Sequence, residues 1–148
     1  MQAIHRRLFL GLAILLALTA PSGHAQQFER FGDVEAHYSA ISTTFIPREV
    51  ADRLGVMRSQ AQGLVTLTVR DAAGETLNVP VDGTVAVVGE SGESPLAFRR
   101  LDTGGGVSRI ATFPLTTSAP MRFRLALQLD RNAAPETLSF MQRFHRDD

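Results

Sequence analysis

The 148-residue chain contains no cysteine, no tryptophan and no lysine. The absence of cysteine excludes disulfides, thiol chemistry and thiolate metal sites, and also a lipid anchor on an N-terminal cysteine. All fifteen basic residues are arginine, and fifteen acids balance them. The chain therefore lacks the basic excess that proteins need to bind nucleic acids or anionic membranes.

The first residues have the pattern of a secretory signal peptide. Arg6 and Arg7 form a basic start, Leu8–Ala20 is an apolar run, and Gly23 and Ala25 occupy the positions of a small-residue cleavage site. An uncleaved membrane anchor is the alternative. It is disfavoured because the apolar run is well short of the roughly 20 residues that a spanning helix needs. The pattern predicts export to the periplasm and cleavage after Ala25.

Removal of residues 1–25 leaves residues 26–148, which we expect to form one periplasmic domain. A chain of this length buries roughly two-thirds of the surface that it exposes when unfolded, so it can fold without disulfides. The leader carries Arg6 and Arg7 and no acid. The mature chain therefore has 13 arginines against 15 acids, a net charge of −2.

Apolar and polar residues alternate along most of the mature chain, which is the pattern of half-buried strands. Turn residues separate these segments, and no helices alternate with them. The pattern predicts an all-β, immunoglobulin-like sandwich of about seven or eight antiparallel strands, with a small closed barrel as the alternative. The predicted strands are Phe31–Ile41, Gly63–Arg70, two pieces of Glu75–Val88 separated at Val81–Gly83, Leu96–Leu101, Val107–Leu115, Met121–Leu129 and Thr137–His145.

One segment has the period of a helix instead. Pro47 suits a first helical position because it has no N–H to leave unpaired, and Gly55 suits a left-handed C-cap. Val50 and Leu54 share a face between them. The sequence predicts a helix of about two turns over Pro47–Leu54, and we expect it to cover one end of the sandwich.

The opening of the mature chain resembles a family of small exported proteins of Gram-negative bacteria that is known only as a domain of unknown function. The segments that carry the resemblance are Gly32–Ala40, Ser42–Phe45, Pro47–Ala51, Gly55–Val56, Leu96–Arg99 and Ile110–Pro114. Val34 and Ile41 depart from it, because aromatic residues are common there in the family. The resemblance implies a single periplasmic domain, and it implies no activity, ligand or catalytic residue.

Five residues of this opening are predicted to have structural roles. Tyr38 and Phe45 are expected to pack in the core, where burial of an aromatic ring contributes a few kcal/mol. Thr44 and Phe45 belong to the corner after the first strand. Pro47 and Gly55 are expected to begin and end the helix.

The mature chain offers few groups for catalysis. His37 and His145 are its only histidines, so the base of a catalytic triad would have to be one of them. Gly89–Glu93 lacks the last glycine of a nucleophile elbow and the helix that follows one. Gly104–Gly106 is followed by neither a helix nor a lysine, which favours a hairpin turn over a phosphate loop. We predict no catalytic residues and no cofactor.

Asp33, Glu35 and His37 are the candidate ligand-binding residues. They fall on one face of the first predicted strand, at a spacing of roughly 6.6–7 Å. Such a row can supply ligands to a metal or a small molecule, or it can be a solvated strand face. Met141 and His145 also suggest a copper site, since methionine and imidazole suit Cu(I). A core position for Met141 and a terminal position for His145, without a metal, are favoured. No metal site is therefore predicted.

Three functions are consistent with these residues. The first is a non-enzymatic periplasmic binding or accessory module that contacts another envelope protein through a sheet edge or its surface, without nucleic acid and without membrane insertion of the mature chain. The second is a metal- or small-ligand-binding protein that uses the His37 strand face. The third is a hydrolase with Ser39, Ser42 or Thr43 near His37, for which nothing in the sequence orients a base.

Overall fold

The computed structural model describes residues 27–145. The predicted signal peptide, its cleavage site and residues 146–148 lie outside this part of the chain. Within it are ten strands, one 3-10 turn and one α-helix. The elements are β1 (Gln27–Phe31), β2 (Val34–Ser42), the 3-10 turn Thr43–Phe45, α1 (Arg48–Leu54), β3 (Gln62–Arg70), β4 (Thr76–Leu77), β5 (Val81–Val87), β6 (Ser94–Leu96), β7 (Arg99–Asp102), β8 (Val107–Pro114), β9 (Met121–Leu127) and β10 (Glu136–Gln142).

These strands form two antiparallel sheets. The six-stranded sheet has the order β1-β2-β3-β8-β7, with β4 also paired to β3, and the four-stranded sheet has the order β10-β9-β5-β6. The path β2-β3-β8-β7 corresponds to one sheet of an immunoglobulin domain, and β10-β9-β5 corresponds to the other. The predicted immunoglobulin-like sandwich is therefore confirmed. The closed barrel is wrong, because the described strands form two separate sheets.

The core lies between the sheets and follows the predicted alternation. On β9, the side chains of Phe123, Leu125 and Leu127 are completely buried. Aromatic rings fill the space between the layers. Phe113 of β8 meets Phe123 of the other sheet edge-on with ring centroids 5.0 Å apart, and within the four-stranded sheet Phe123 stacks on Phe140 of β10 at 4.7 Å. Burial of each such side chain contributes about 1.5–3 kcal/mol, so this alternation holds the sandwich together.

The structure corrects three strand predictions. The continuous strand Leu96–Leu101 is wrong, because β6 and β7 belong to different sheets and the chain crosses between them at Ala97 and Phe98. Apolar alternation does not show which sheet a residue faces, so it cannot reveal such a crossing. The strand β1 was also missed, since its residues are mostly exposed and have no alternation to detect.

The break predicted at Val81–Gly83 is the third error. Val81 begins β5, and the break lies at Asn78–Pro80 instead. Gly83 sits inside the strand because Leu125 and Phe98 pack over it, and a Cβ there would lie 2.7 Å from the Leu125 side chain. This glycine marks a close approach of side chains and not a turn.

The helix α1 is confirmed, but its place in the fold differs from the expectation. It packs on the outer face of the six-stranded sheet and not at one end of the sandwich, because that face carries a second small apolar cluster. The buried members of this cluster are Ile46, Ala51, Val56, Leu64 and Ile110. Leu64 and Ile110 belong to β3 and β8, so α1 covers apolar positions that would otherwise face water.

Capping residues fix the ends of this helix. The helix begins at Arg48 and not at the predicted Pro47, which is the N-cap with an extended ψ of 143°. Gly55 takes the predicted left-handed C-cap with φ of 66°. The Arg99 side chain of β7 donates a hydrogen bond to the Leu54 carbonyl at the helix C-terminus. Among residues 27–145, no helix is long and apolar enough to cross a membrane.

Candidate functional site

The β1–β2 hairpin places the predicted ligand-binding residues beside an arginine. A two-residue turn, Gly32–Asp33, joins the strands, and the φ of +61° at Gly32 is one that glycine adopts without strain. The register sets Arg30 opposite Glu35. On the other side of β2, Arg70 of β3 also lies opposite Glu35. A carboxylate on the central strand is therefore flanked by one arginine on each neighbouring strand.

Glu35 is the centre of a short chain of polar contacts. Its Oε1 accepts a hydrogen bond from Arg30 Nη2 at 2.6 Å, and its Oε2 lies 3.0 Å from His37 Nε2. The Phe28 ring stacks on the imidazole of His37 with centroids 5.3 Å apart and an interplanar angle of 30°. The His37 side chain is only 20% exposed as a result. These contacts hold both the carboxylate and the imidazole in one orientation.

The electrostatics of this group favour an ionised Glu35. The hydrogen bond from Arg30 lowers the pKa of the Glu35 carboxyl below its usual value, and the hydrogen bond with His37 lowers that pKa further. The Arg30 guanidinium also offsets the negative charge of Glu35. A metal ion at this carboxylate would therefore have to displace a cation that is already bound.

An open cleft of about 320 Å³ lies beside these residues, between the β1–β2 turn and the β3–β4 turn. We call it the charged cleft. Its lining residues are Arg30, Gly32, Asp33, Glu35, Arg70, Asp71, Ala72 and Gly74. The carboxylate of Asp71 accepts hydrogen bonds from the backbone N–H groups of Ala73 and Glu75, so it serves the turn.

Two charged side chains of the charged cleft remain available to bind a ligand. Within the described part of the chain, no hydrogen bond or ion pair involves the side chains of Asp33 and Arg70. Both residues are exposed. The charged cleft therefore presents one carboxylate and one guanidinium to solvent, next to the salt bridge between Arg30 and Glu35.

The structure brings together only part of the predicted row. Glu35 and His37 are in contact, whereas Asp33 sits in the turn. Of the three predicted residues, Asp33 and Glu35 line the charged cleft and His37 does not. No group of three or more His, Cys, Asp or Glu residues within positions 27–145 could hold a metal ion. Arg30 and Arg70 were not singled out from the sequence. A two-residue turn at Gly32–Asp33 would have predicted the pairing of Arg30 with Glu35.

The residues with predicted structural roles occupy varied places. Tyr38 is half-buried and stacks on Phe140 with centroids 4.5 Å apart. Burial raises the pKa of the Tyr38 phenol, and the nearby charge of Glu29 raises it further. Phe45 differs from the expectation of core packing, because it is 67% exposed. It ends the 3-10 turn, where the chain direction changes and the ring is directed away from the core.

The corner after β2 depends on a residue that sequence reasoning treated only as a possible nucleophile. The hydroxyl of Thr43 is fully buried, accepts a hydrogen bond from Ser59 N–H at 2.8 Å and donates one to Ser59 C=O at 3.0 Å. Ser42 Oγ contacts Thr44 Oγ1 at 2.9 Å and accepts a bond from the Thr44 N–H. The run of hydroxyl residues signals such bonding to the backbone.

The hydrolase hypothesis finds no support in this arrangement. Among the described residues, none of the hydroxyls of Ser39, Ser42 and Thr43 makes a hydrogen bond to His37, whose Nε2 contacts Glu35. A serine or threonine nucleophile needs a base within hydrogen-bond reach. Nothing positive in this geometry points to an enzyme.

Comparison with known proteins gives a family and a fold. A family model described as a domain of unknown function, DUF4426, matches residues 28–147. The crystal structure of a DUF4426 family protein from Pseudomonas aeruginosa PAO1 is similar, with 26% sequence identity and a TM-score of 0.71 over 84% of this chain and 98% of that chain. A comparison with curated proteins found no match.

Two structures of FetP from uropathogenic Escherichia coli strain F11 share the fold. One is a copper-bound variant, with 12% identity and a TM-score of 0.56 over 80% of this chain and 94% of that chain. The other is the protein as isolated after recombinant expression in the periplasm, with 12% identity and a TM-score of 0.55 over 80% and 92% of the two chains. At this identity the likeness concerns the fold alone.

Proposed function

This chain belongs to the DUF4426 family, as the resemblance of its opening indicated, and we propose that it is a non-enzymatic binding module of the periplasm. The proposed location rests on the leader pattern of residues 1–25 and fits the periplasmic expression of FetP, which shares its fold. The proposed binding site is the charged cleft. The absence of a catalytic arrangement among the described residues makes binding the function that its geometry supports best.

One observation carries this proposal: Asp33 and Arg70 both line the charged cleft, and neither is paired within the described residues. A guanidinium binds a carboxylate with two parallel hydrogen bonds, and a carboxylate accepts hydrogen bonds from an ammonium group. A ligand with both groups would satisfy both residues. The charged cleft therefore suits an ampholyte, such as an amino acid, a short peptide or a charged segment of a partner protein.

A screen for thermal stabilisation tests this proposal. Amino acids and dipeptides would be screened by differential scanning fluorimetry, because a ligand that binds only the folded state raises the unfolding temperature. Calorimetry would then measure the affinity of each stabilising compound. We expect Arg70→Gln and Asp33→Asn to weaken binding by about tenfold or more, since each removes a charge-assisted hydrogen bond.

Arg122→Gln is the matched control, because Arg122 is an exposed arginine on β9 in the other sheet. It should leave the affinity unchanged. The proposal fails if no compound stabilises the protein, or if the stabilising compounds bind equally well to the two cleft variants.

Metal binding is a second candidate function, favoured by the fold shared with copper-bound FetP. Glu35 and His37 would supply two ligands, and imidazole suits copper, zinc and nickel. Arg30 would have to release the Glu35 carboxylate first. Calorimetric titration with each metal decides the matter: binding that weakens in His37→Ala and strengthens in Arg30→Ala supports it, and the absence of binding heat removes it.

A further inference from the structure

We infer that a second binding site lies between α1 and β7, where an extended segment of another envelope protein adds to the free edge of β7. This site is separate from the charged cleft, because β7 and β1 form opposite edges of the six-stranded sheet. It uses a different chemistry, in which backbone hydrogen bonds combine with one apolar contact and one ion pair. The recognition mode is strand addition beside a helix.

The backbone of β7 is open on one side. Among residues 27–145, β8 is its only strand partner. The Thr103 N–H bonds to the Gly106 carbonyl at 2.9 Å, which closes the β7–β8 loop. Because hydrogen-bonded and non-hydrogen-bonded pairs alternate in an antiparallel ladder, the N–H and C=O groups of Arg100 and Asp102 point away from β8.

A second contact agrees with this assignment. Val107 lies opposite Asp102 in the register. Its N–H bonds to Thr76 Oγ1 at 2.8 Å, on the side of β4 and away from β7. The Asp102–Val107 pair is therefore not hydrogen-bonded, and the backbone groups of Asp102 face the open edge. A strand of three residues can pair with Arg100 and Asp102 at once.

An apolar cleft of about 480 Å³ lies next to this edge. We call it the helix cleft. Its apolar walls are Val50 and Leu54 of α1 and Leu101 of β7, all half-buried. Side chains of an added strand alternate between the two faces of the sheet. A residue on the face of Leu101 would therefore enter the helix cleft, so the partner segment needs an apolar side chain at that position.

The charges around the helix cleft determine a second side chain of the partner segment. It lies two residues from the apolar one, because that spacing returns to the face of Leu101 and Arg53. Asp102 is already neutralised, since its Oδ1 accepts hydrogen bonds from Arg100 Nε at 3.0 Å and Nη2 at 2.8 Å. Arg53 lines the helix cleft and is exposed, and no ion pair involves it among the described residues. The uncompensated charge at this site is positive. The partner segment should carry an acid two residues from its apolar residue.

A second copy of this chain is a weaker occupant. Self-pairing of β7 would offer Arg53 only one acid, Asp102, and Arg100 already holds that carboxylate. A segment of another protein can supply both the apolar side chain and an unpaired acid. The two occupants differ in mass, so a measurement of oligomeric state separates them.

Selection from a phage-displayed library of random nine-residue peptides tests the site. The target is the mature protein purified from the periplasm. We expect enriched peptides to share an apolar residue and an acid two positions apart, which is the spacing of side chains on one face of a strand. On Arg53→Glu, the preference should change from acids to bases, and the affinity for the wild-type peptides should fall about tenfold or more. Arg48→Glu is the matched control, a charge reversal on the same helix outside the helix cleft, and should leave the preference unchanged.

Circular dichroism and the unfolding temperature would establish that both variants are folded. The inference is overturned if no peptide is enriched, if Arg53→Glu selects the same peptides as Arg48→Glu, or if light scattering shows a dimer that Arg53→Glu dissociates. Asp33→Asn and Arg70→Gln should not affect peptide binding at the helix cleft. Their effect on small ligands alone therefore tests the charged cleft independently.

Discussion

Nε2 of His37 lies 3.0 Å from Oε2 of Glu35, although the two residues are separated by one residue on β2. Residues two apart on a strand are spaced by roughly 6.6–7 Å, so the side chains must lean towards each other to meet. Their contact holds the carboxylate at the edge of the charged cleft. The same contact leaves the imidazole without a hydroxyl partner among the described residues.

Replacement of Arg30 should raise the pKa of Glu35. The hydrogen bond from Arg30 is the largest cause of the lowered pKa, so in Arg30→Gln this pKa should move up towards the usual value of 4.5. Because the folded pKa is depressed, the contact stabilises the fold above the unfolded pKa, and this stabilisation is lost as the pH falls through the folded pKa. Carboxyl-carbon NMR titration measures the shift. An unchanged Glu35 pKa in this variant would contradict the assignment, and Arg122→Gln is the control.

The phenol of Tyr38 should ionise above its usual pKa of 10.0. It is the only tyrosine and the chain has no tryptophan, so phenolate absorbance reports this residue alone. Since the folded pKa is raised, the unfolded state releases the proton first, and the free energy of unfolding should fall as the pH rises above about 10. Glu29→Gln should lower the Tyr38 pKa by a smaller amount than unfolding does. A native titration curve identical to that of the unfolded chain would refute this account of Tyr38.

Gly63→Ala should destabilise the fold strongly. Gly63 lies opposite Phe113 in the β3–β8 register, and a Cβ at Gly63 would lie 2.1 Å from the Phe113 ring. Overpacking of this kind costs about 1–3 kcal/mol, and Phe113 is too buried to move freely. Urea unfolding measures the loss. Gly105→Ala is the matched control, because nothing lies within 4 Å of its Cβ position, and an equal loss in both variants would contradict the packing argument.

Thr43→Val should cost more stability than Thr44→Val. The isosteric change at Thr43 leaves the N–H and C=O of Ser59 without their buried partner, at a cost of about 1–3 kcal/mol. Thr44 is only half-buried, and its hydroxyl contacts that of Ser42. Chemical denaturation of both variants tests the difference. A larger loss in Thr44→Val would show that the corner depends on the residue predicted from the sequence and not on Thr43.

The sequence predicted the features that depend on local patterns. The inward faces of β3 and β9 follow from alternation, and the ends of α1 follow from Pro47 and Gly55. It did not predict contacts between distant residues. Ser59 is sixteen residues from Thr43, and no local pattern joins them.

The charged cleft was predicted only in part for the same reason. Asp33 and Glu35 were singled out by their spacing along the chain and both line the charged cleft, whereas His37 contacts Glu35 without lining the cleft. Arg70 was not found, because its place beside Glu35 depends on the β2–β3 register. The outer position of α1 was also missed, since Leu64 and Ile110 face outwards on strands whose inward faces are equally apolar.

The changes in amide chemical shift on ligand binding, measured residue by residue by NMR, test the central claim most directly. The mature protein would be titrated with the amino acid or dipeptide that stabilises it most. We predict that the shifts concentrate at Arg30–Glu35 and Arg70–Gly74, and that they disappear in Arg70→Gln. Shifts confined to other parts of the sandwich, or equal shifts in Arg70→Gln, would contradict the assignment of the charged cleft as the binding site.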